Sequence, residues 1–234
     1  MAGREVGAYF LSPIAYVVLA VFLFACGLSF GLGTIARGEE SSLRALMEPW
    51  MLFFLVFVLP MLTMRLLSEE YRNGTIETLL TAPITETEVV LGKFLGALAF
   101  FGVMIATLLL YPVILAGVGS VDGRLLLCNY IGLTLLGALF IAVGLFFSAC
   151  TRHQIIAVLL SFAVLAIITF ASFELATRVG IGWIRAVMQQ VSVRVHFGDF
   201  VRGVLDMNHV VFFVTTTALF LFLTVKRLEM RRWQ

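Results

Sequence analysis

Three histidines, three cysteines and one Gly-Lys pair are the side chains of this sequence best suited to chemistry. His153, His196 and His209 could in principle ligate a metal or move protons. No HExxH pattern gathers two of them on one helical face, so a zinc-hydrolase reading lacks its ligand pair. Each of the three reads instead as a solvated or capping residue in a loop or at a helix end. Cys26, Cys128 and Cys150 lie in or beside apolar runs without CxxC spacing, so they read as packing residues rather than as a disulfide framework or zinc site. Gly92-Lys93 has the look of the end of a phosphate-binding loop. Position 87 is Thr where that loop opens with Gly, and position 94 is Phe where Ser or Thr must follow the Lys. This reading leaves the chain without catalytic or nucleotide-binding machinery of its own.

The elements that would hold these residues are set by composition. Of 234 residues, 61% are hydrophobic and 13% charged, with 22 Phe and a mean hydropathy of +1.06. That is too little charged surface for a water-soluble domain of this length. The net charge of +2 gives no reason to expect nucleic acid as a partner. Crossing the hydrocarbon core takes about 20 apolar residues. Runs of about that size with little or no charge fall at 13–35, 49–67, 94–119, 125–149, 155–174 and 209–226. The expectation is an all-α polytopic membrane protein with six transmembrane helices in one domain, 1–234. Ser12-Pro13 suits the opening of the first helix, and its apolar run continues past Cys26 to Ile35, as a retained anchor would.

No Asp, Glu, Lys, Arg or His occurs in 6–36, 49–64, 94–121, 125–149, 155–173 or 210–225. Ion-coupled carriers place an ionisable group at membrane depth, so proton- or sodium-driven transport loses its usual chemistry. With the N-terminus inside, nine Lys and Arg fall on the inner side: Arg4, Arg65, Arg72, Lys93, Arg152, Lys226, Arg227, Arg231 and Arg232. Seven fall outside: Arg37, Arg44, Arg124, Arg178, Arg185, Arg194 and Arg202. This majority, with a compact basic tail after Val225, favours both termini on the cytoplasmic side. Gly27/Gly31 and Gly92/Gly96 have the spacing that lets membrane helices approach closely.

The loop between the second and third spans has the most local definition. Asn73-Gly74 should stop the second helix, because glycine takes the left-handed conformation without steric cost. Thr75 can cap a short helix running to Ala82 and closed by Pro83. Ile76, Leu79 and Leu80 share one face of it. Thr85 and Glu88 form a capping box for the third span. Such a helix, held between defined breaks, could dock in a groove of a soluble partner; it could equally lie on lipid headgroups. Two further amphipathic stretches precede the last span. Val179, Trp183, Val187 and Val191 stand opposite Arg178, Arg185 and Gln189, while Phe197, Phe200, Val201 and Val204 recur beside Asp199 and Arg202. They can lie at the outer surface with Trp and Phe in lipid, or form a plain connector resting on the membrane.

Glu70-Tyr71-Arg72-Asn73-Gly74-Thr75-Ile76-Glu77-Thr78-Leu79-Leu80-Thr81-Ala82-Pro83-Ile84, followed by Gly92-Lys93, resembles the signature loop of ABC-2 type transporter permeases. Gly3-Arg4-Glu5 with Tyr9 to Tyr16, His196 to Asp206, and Leu228 to Trp233 resemble the same group, nearest to permeases of gliding motility and nitrous-oxide-reductase maturation. The resemblance implies an amphipathic N-terminal segment, a cytoplasmic coupling helix and outer helices between spans five and six. It implies two permease subunits, identical or different, each docking one of two ABC ATPase subunits in the cell inner membrane. ATP and Mg would be bound by the ATPase and no cofactor by this chain. An accessory outer-face or periplasmic protein is compatible with it. Carried over by position, Glu70, Arg72, Thr75, Glu77, Leu79, Leu80 and Pro83 would couple to the ATPase, and Trp183, His196, Phe197, Asp199, Phe200 and Arg202 would belong to an outer gate. The function implied is substrate export powered by that ATPase; the alternative is an ATPase-coupled scaffold doing mechanical or maturation work without a substrate crossing.

Overall fold

The structure is a computed structural model, and it describes Gly7 and residues 13–31, 50–74, 85–117, 122–178 and 182–232. Every element among the described residues is helical: α1 (Pro13–Phe30), α2 (Trp50–Thr63), α3 (Ser68–Asn73), α4 (Glu86–Thr107), α5 (Leu110–Ala116), α6 (Gly123–Cys150), α7 (Gln154–Ala166), a π-helical turn (Ile167–Ala171), α8 (Ser172–Arg178), α9 (Gly182–Val191), α10 (Val193–Val201) and α11 (Met207–Arg232). Five helical runs are long and apolar enough to cross a membrane: Met51–Asn73, Glu86–Ile114, Gly123–Cys150, Gln154–Arg178 and Met207–Met230. A sixth, Ala15–Phe30, is apolar but shorter. Of the first expected span, 13–35, the described part is helical through Gly31, and its continuation past Gly31 lies outside the described residues.

α6 is the centre of the bundle, packed by α2, α4, α7, α10 and α11. From Leu139 to Leu145 seven consecutive residues are buried, which requires neighbours on every side of the helix. Three glycines allow the close approach. A Cβ on Gly132 would meet the Phe200 side chain at 2.6 Å, one on Gly137 the Phe101 ring at 1.8 Å, and one on Gly144 the Thr63 hydroxyl at 2.0 Å. The expected pair Gly27/Gly31 does less: a Cβ on Gly27 finds Tyr111 Oη at an ordinary 3.5 Å and one on Gly31 meets nothing within 4 Å. Gly92 and Gly96 are buried in α4. Outer helices keep one apolar face bare. On α1, Ala15, Val18, Phe22 and Cys26 face inward while Val17, Val21, Phe24 and Leu28 are exposed, the pattern of a helix with protein on one side and lipid on the other.

Two helices depart from the expected spans. The third begins at Glu86, where the Thr85–Glu88 box puts it and ahead of the uncharged run from 94, but the run read as continuous to 119 breaks at Leu108–Leu109 before restarting as α5. Pro112 has no N–H to give to the Leu108 carbonyl and its ring crowds that group; the local bond there is the tighter Leu108 N–H to the Ile105 carbonyl, 2.9 Å. The fifth helix widens into a π turn at Ile167–Ala171, where Thr169 is wholly buried.

Candidate coupling site

α2 carries Pro60, which has no N–H to give to the turn before it, and ends at Thr63. The chain then turns through Met64–Leu67 and resumes as α3. Leu67, at the N-cap of α3, offers no side-chain cap. The cap comes from α6. Ser148 Oγ accepts from the Leu67 N–H at 3.0 Å and the Ser68 N–H at 3.1 Å, and it donates to the Met64 carbonyl at 3.0 Å. One donor and two lone pairs are a hydroxyl's whole capacity. The Ser68 hydroxyl donates to the same Met64 carbonyl. A helix break that would leave buried backbone groups unpaired is thus closed by one side chain some 80 residues away.

α3 is fixed a second time by charge. Glu70 Oε1 lies 2.6 Å from Lys93 Nζ on α4, with the lysine side chain 6% and the glutamate side chain 24% exposed. Lys93, counted as an inner-side charge, is one of the buried residues of α4, a helix whose N-terminus carries the expected capping box: Thr85 N–H donates to Glu88 Oε2 at 2.9 Å and Glu88 N–H to Thr85 Oγ1 at 3.3 Å. Gly74 ends α3 with φ 70°, as Asn73-Gly74 foretells. The described residues on either side of 75–84 are therefore both held to the bundle, and 75–84 themselves lie outside the described residues. Beside α3 opens a cleft of about 570 Å³ lined by Tyr71, Arg72, Arg152, His153, Gln154 and Ile155, so the α6–α7 junction shares this face and brings a second cationic side chain to it.

Of the residues assigned to coupling, Glu70 is turned toward Lys93 and Arg72 is exposed on the cleft. Thr75, Glu77, Leu79, Leu80 and Pro83 lie outside the described residues. Sequence reasoning missed Ser148, whose signal was a lone hydroxyl in an apolar run, and the cleft residues Arg152 and His153.

The residues assigned to an outer gate divide. Trp183 is 71% exposed on α9, a helix with no buried residue. Phe197 and Phe200 are fully buried, which corrects the expectation that they lie in lipid: α10 packs on α6 at Gly132, not on the surface. Val204 does not extend their face. α10 stops at Val201, Gly203 takes φ 79°, and the Val204 N–H donates to the Asp199 carbonyl at 2.9 Å, leaving Val204 exposed. His196, read as a loop or helix-end residue, is inside α10 and 5% exposed. Its Nδ1 is 2.6 Å from His209 Nδ1, its Nε2 2.9 Å from the Gln190 carbonyl, and its ring stacks 4.0 Å from that of Phe212. His209 Nε2 is 2.8 Å from Asp199 Oδ2, and Arg202 Nη1 lies 3.6 Å from Asp199 Oδ1. Burial pushes the His196 imidazole below its usual value, helped by His209 and opposed by the Gln190 carbonyl and Asp199.

In comparisons with known proteins, the family model described as ABC-2 family transporter protein matches residues 50–181, more than half of the 234-residue chain. No curated protein matches it.

Proposed function

Since the chain belongs to the ABC-2 family of transporter proteins, we propose that it is the permease subunit through which a separate ATPase powers export of a substrate. Membership makes it a multi-pass membrane component of an ABC transporter and not itself the catalyst. The reading goes further. All of 1–234 is one membrane domain with six spans and both termini in the cytoplasm of an inner-membrane complex. Two such subunits pair, each carrying one ATPase that binds ATP and Mg. The narrower likeness to permeases of gliding motility and nitrous-oxide-reductase maturation belongs to the same proposal.

The supporting observation is the double anchoring of the 74–85 loop. Ser148 closes the break that leads into α3, and the Glu70–Lys93 pair ties α3 to α4. With Gly74 and Thr85 both held to the bundle, a push delivered by a partner between them would reach α2 and α4. Arg72 and Arg152 on the adjoining cleft suit an acidic partner surface. The test is Glu77→Arg and Leu79→Asp in the full chain, each co-expressed with its ATPase. Both should lose co-purification or stimulated ATP hydrolysis while remaining folded in detergent. Unchanged co-purification with normal stimulation in both variants would defeat the coupling assignment. Efflux from proteoliposomes separates export from scaffold work: no ATP-dependent loss of any loaded substrate, with ATPase stimulation intact, favours the scaffold.

A further inference from the structure

The His196–His209–Asp199 chain has a proton count that its geometry fixes. The Gln190 carbonyl can only accept, so His196 Nε2 carries a proton. An ionised Asp199 can only accept, so His209 Nε2 carries one as well. Between the two Nδ1 atoms, 2.6 Å apart, one must donate and the other accept. Three bonds therefore need three protons, whereas two neutral imidazoles hold two. With the third proton, one ring of the pair is an imidazolium, and Asp199 balances its charge. Without it, two nitrogen lone pairs face each other at a separation only a hydrogen bond makes favourable.

We propose that His196, His209 and Asp199 form a proton-binding site that latches α10 to the start of α11. The elements around it are placed accordingly. His196 sits on α10 and His209 on α11, joined by a turn in which Gly203 holds a left-handed conformation and Asp206 caps α11 by accepting from the Asn208 N–H at 2.9 Å. Other charges near the site are few. Arg202 contacts the far oxygen of Asp199, and its side chain is 68% exposed. Arg194 turns away, its guanidinium 4.3 Å from the Phe173 ring centre on α8. Glu174 and Arg178 of α8 pair with each other at 3.1 Å. α6 brings Cys128, whose thiol donates to the Gly203 carbonyl at 3.6 Å, and carries Asp122 and Arg124 at its N-terminus, where the Asp122 carboxylate accepts from the Arg124 N–H at 2.9 Å. The π turn contributes only Ile167, Ile168, Thr169, Phe170 and Ala171, and the exposed α9 carries Arg185. Asp199 is thus the carboxylate that faces the histidines, and they are the groups whose charge changes with one added proton. The sign follows: the latch is closed on the acid side, where the third proton is bound, and opens as pH rises and the proton leaves.

The site is independent of the ATPase assignment and can be tested on the purified chain in nanodiscs. Nitrogen NMR of histidine-labelled protein should show, at the acid end of a titration between about pH 5 and 8, one imidazolium and one neutral ring coupled through their Nδ1 atoms. Amides of Phe197–Val201 should lose protection against hydrogen exchange by about tenfold as the pair deprotonates, after correction for intrinsic rates. His209→Gln and Asp199→Asn should flatten that pH dependence; the wild-type spectra carry the test if either variant folds poorly. Two neutral rings throughout the titration, with pH-independent protection, would overturn the latch. So would stabilisation by added zinc that His209→Gln abolishes, since the two nitrogens would then meet at a metal.

Discussion

The two ends of α6 are held by different physics. Near its C-terminus, Ser148 closes a break in a neighbouring helix with neutral hydrogen bonds, and a buried ion pair stands beside it. Near its N-terminus, Gly132 admits Phe200 at close range and a histidine pair joins the helices packed there. The two positions, 132 and 148, are about 24 Å apart along the helix axis at 1.5 Å per residue. A hydroxyl holds at any pH the cell meets, whereas an imidazole pair holds only while it keeps its extra proton. One end is built to be rigid and the other to respond.

Substitutions can break this contrast, beginning with the most damaging. Lys93→Met removes a buried ammonium from Glu70 and should cost roughly 3 kcal/mol, at the low end for a broken buried pair because Glu70 is partly exposed. Thermal unfolding in detergent reads it, and adding Glu70→Gln should restore part of the loss. Gly137→Ala drives a Cβ into the ring of Phe101, itself fully buried, and should cost about 2 kcal/mol by overpacking. Ser148→Ala leaves two buried N–H groups without their acceptor and should cost about 1.5 kcal/mol, by the same amount across a pH series. A pH-dependent loss there would erase the distinction between the two ends. Thr85→Ala removes half of an exposed capping box, about 1 kcal/mol. Gly27→Ala should be the mildest, because its Cβ finds ordinary contact distance; helix propensity even favours alanine there by roughly 0.5–1 kcal/mol.

What could be read from the sequence was local. Asn73-Gly74 and Thr85-Glu88 state their structures within four residues, since a left-handed cap and a capping box need nothing from elsewhere. Ser148 could not be read this way, because its partners at Met64, Leu67 and Ser68 become neighbours only once the bundle forms. The α10 stretch misled for a related reason. A face of Phe197, Phe200 and Val201 looks the same whether it meets lipid or protein, and only Gly132 on a distant helix decides between them. Lys93 counts in the sequence only as an inner-side charge; its pairing with Glu70 appears once α3 and α4 are brought together. The histidines looked solitary because 13 residues separate His196 from His209, and only the turn at Gly203 brings their rings together.

The unbroken burial of Leu139–Leu145 has a bearing on transport. A helix jacketed on all sides over nearly two turns lines no open path at its waist. Under the proposed export function, a substrate would therefore pass beside other helices and not along this stretch of α6.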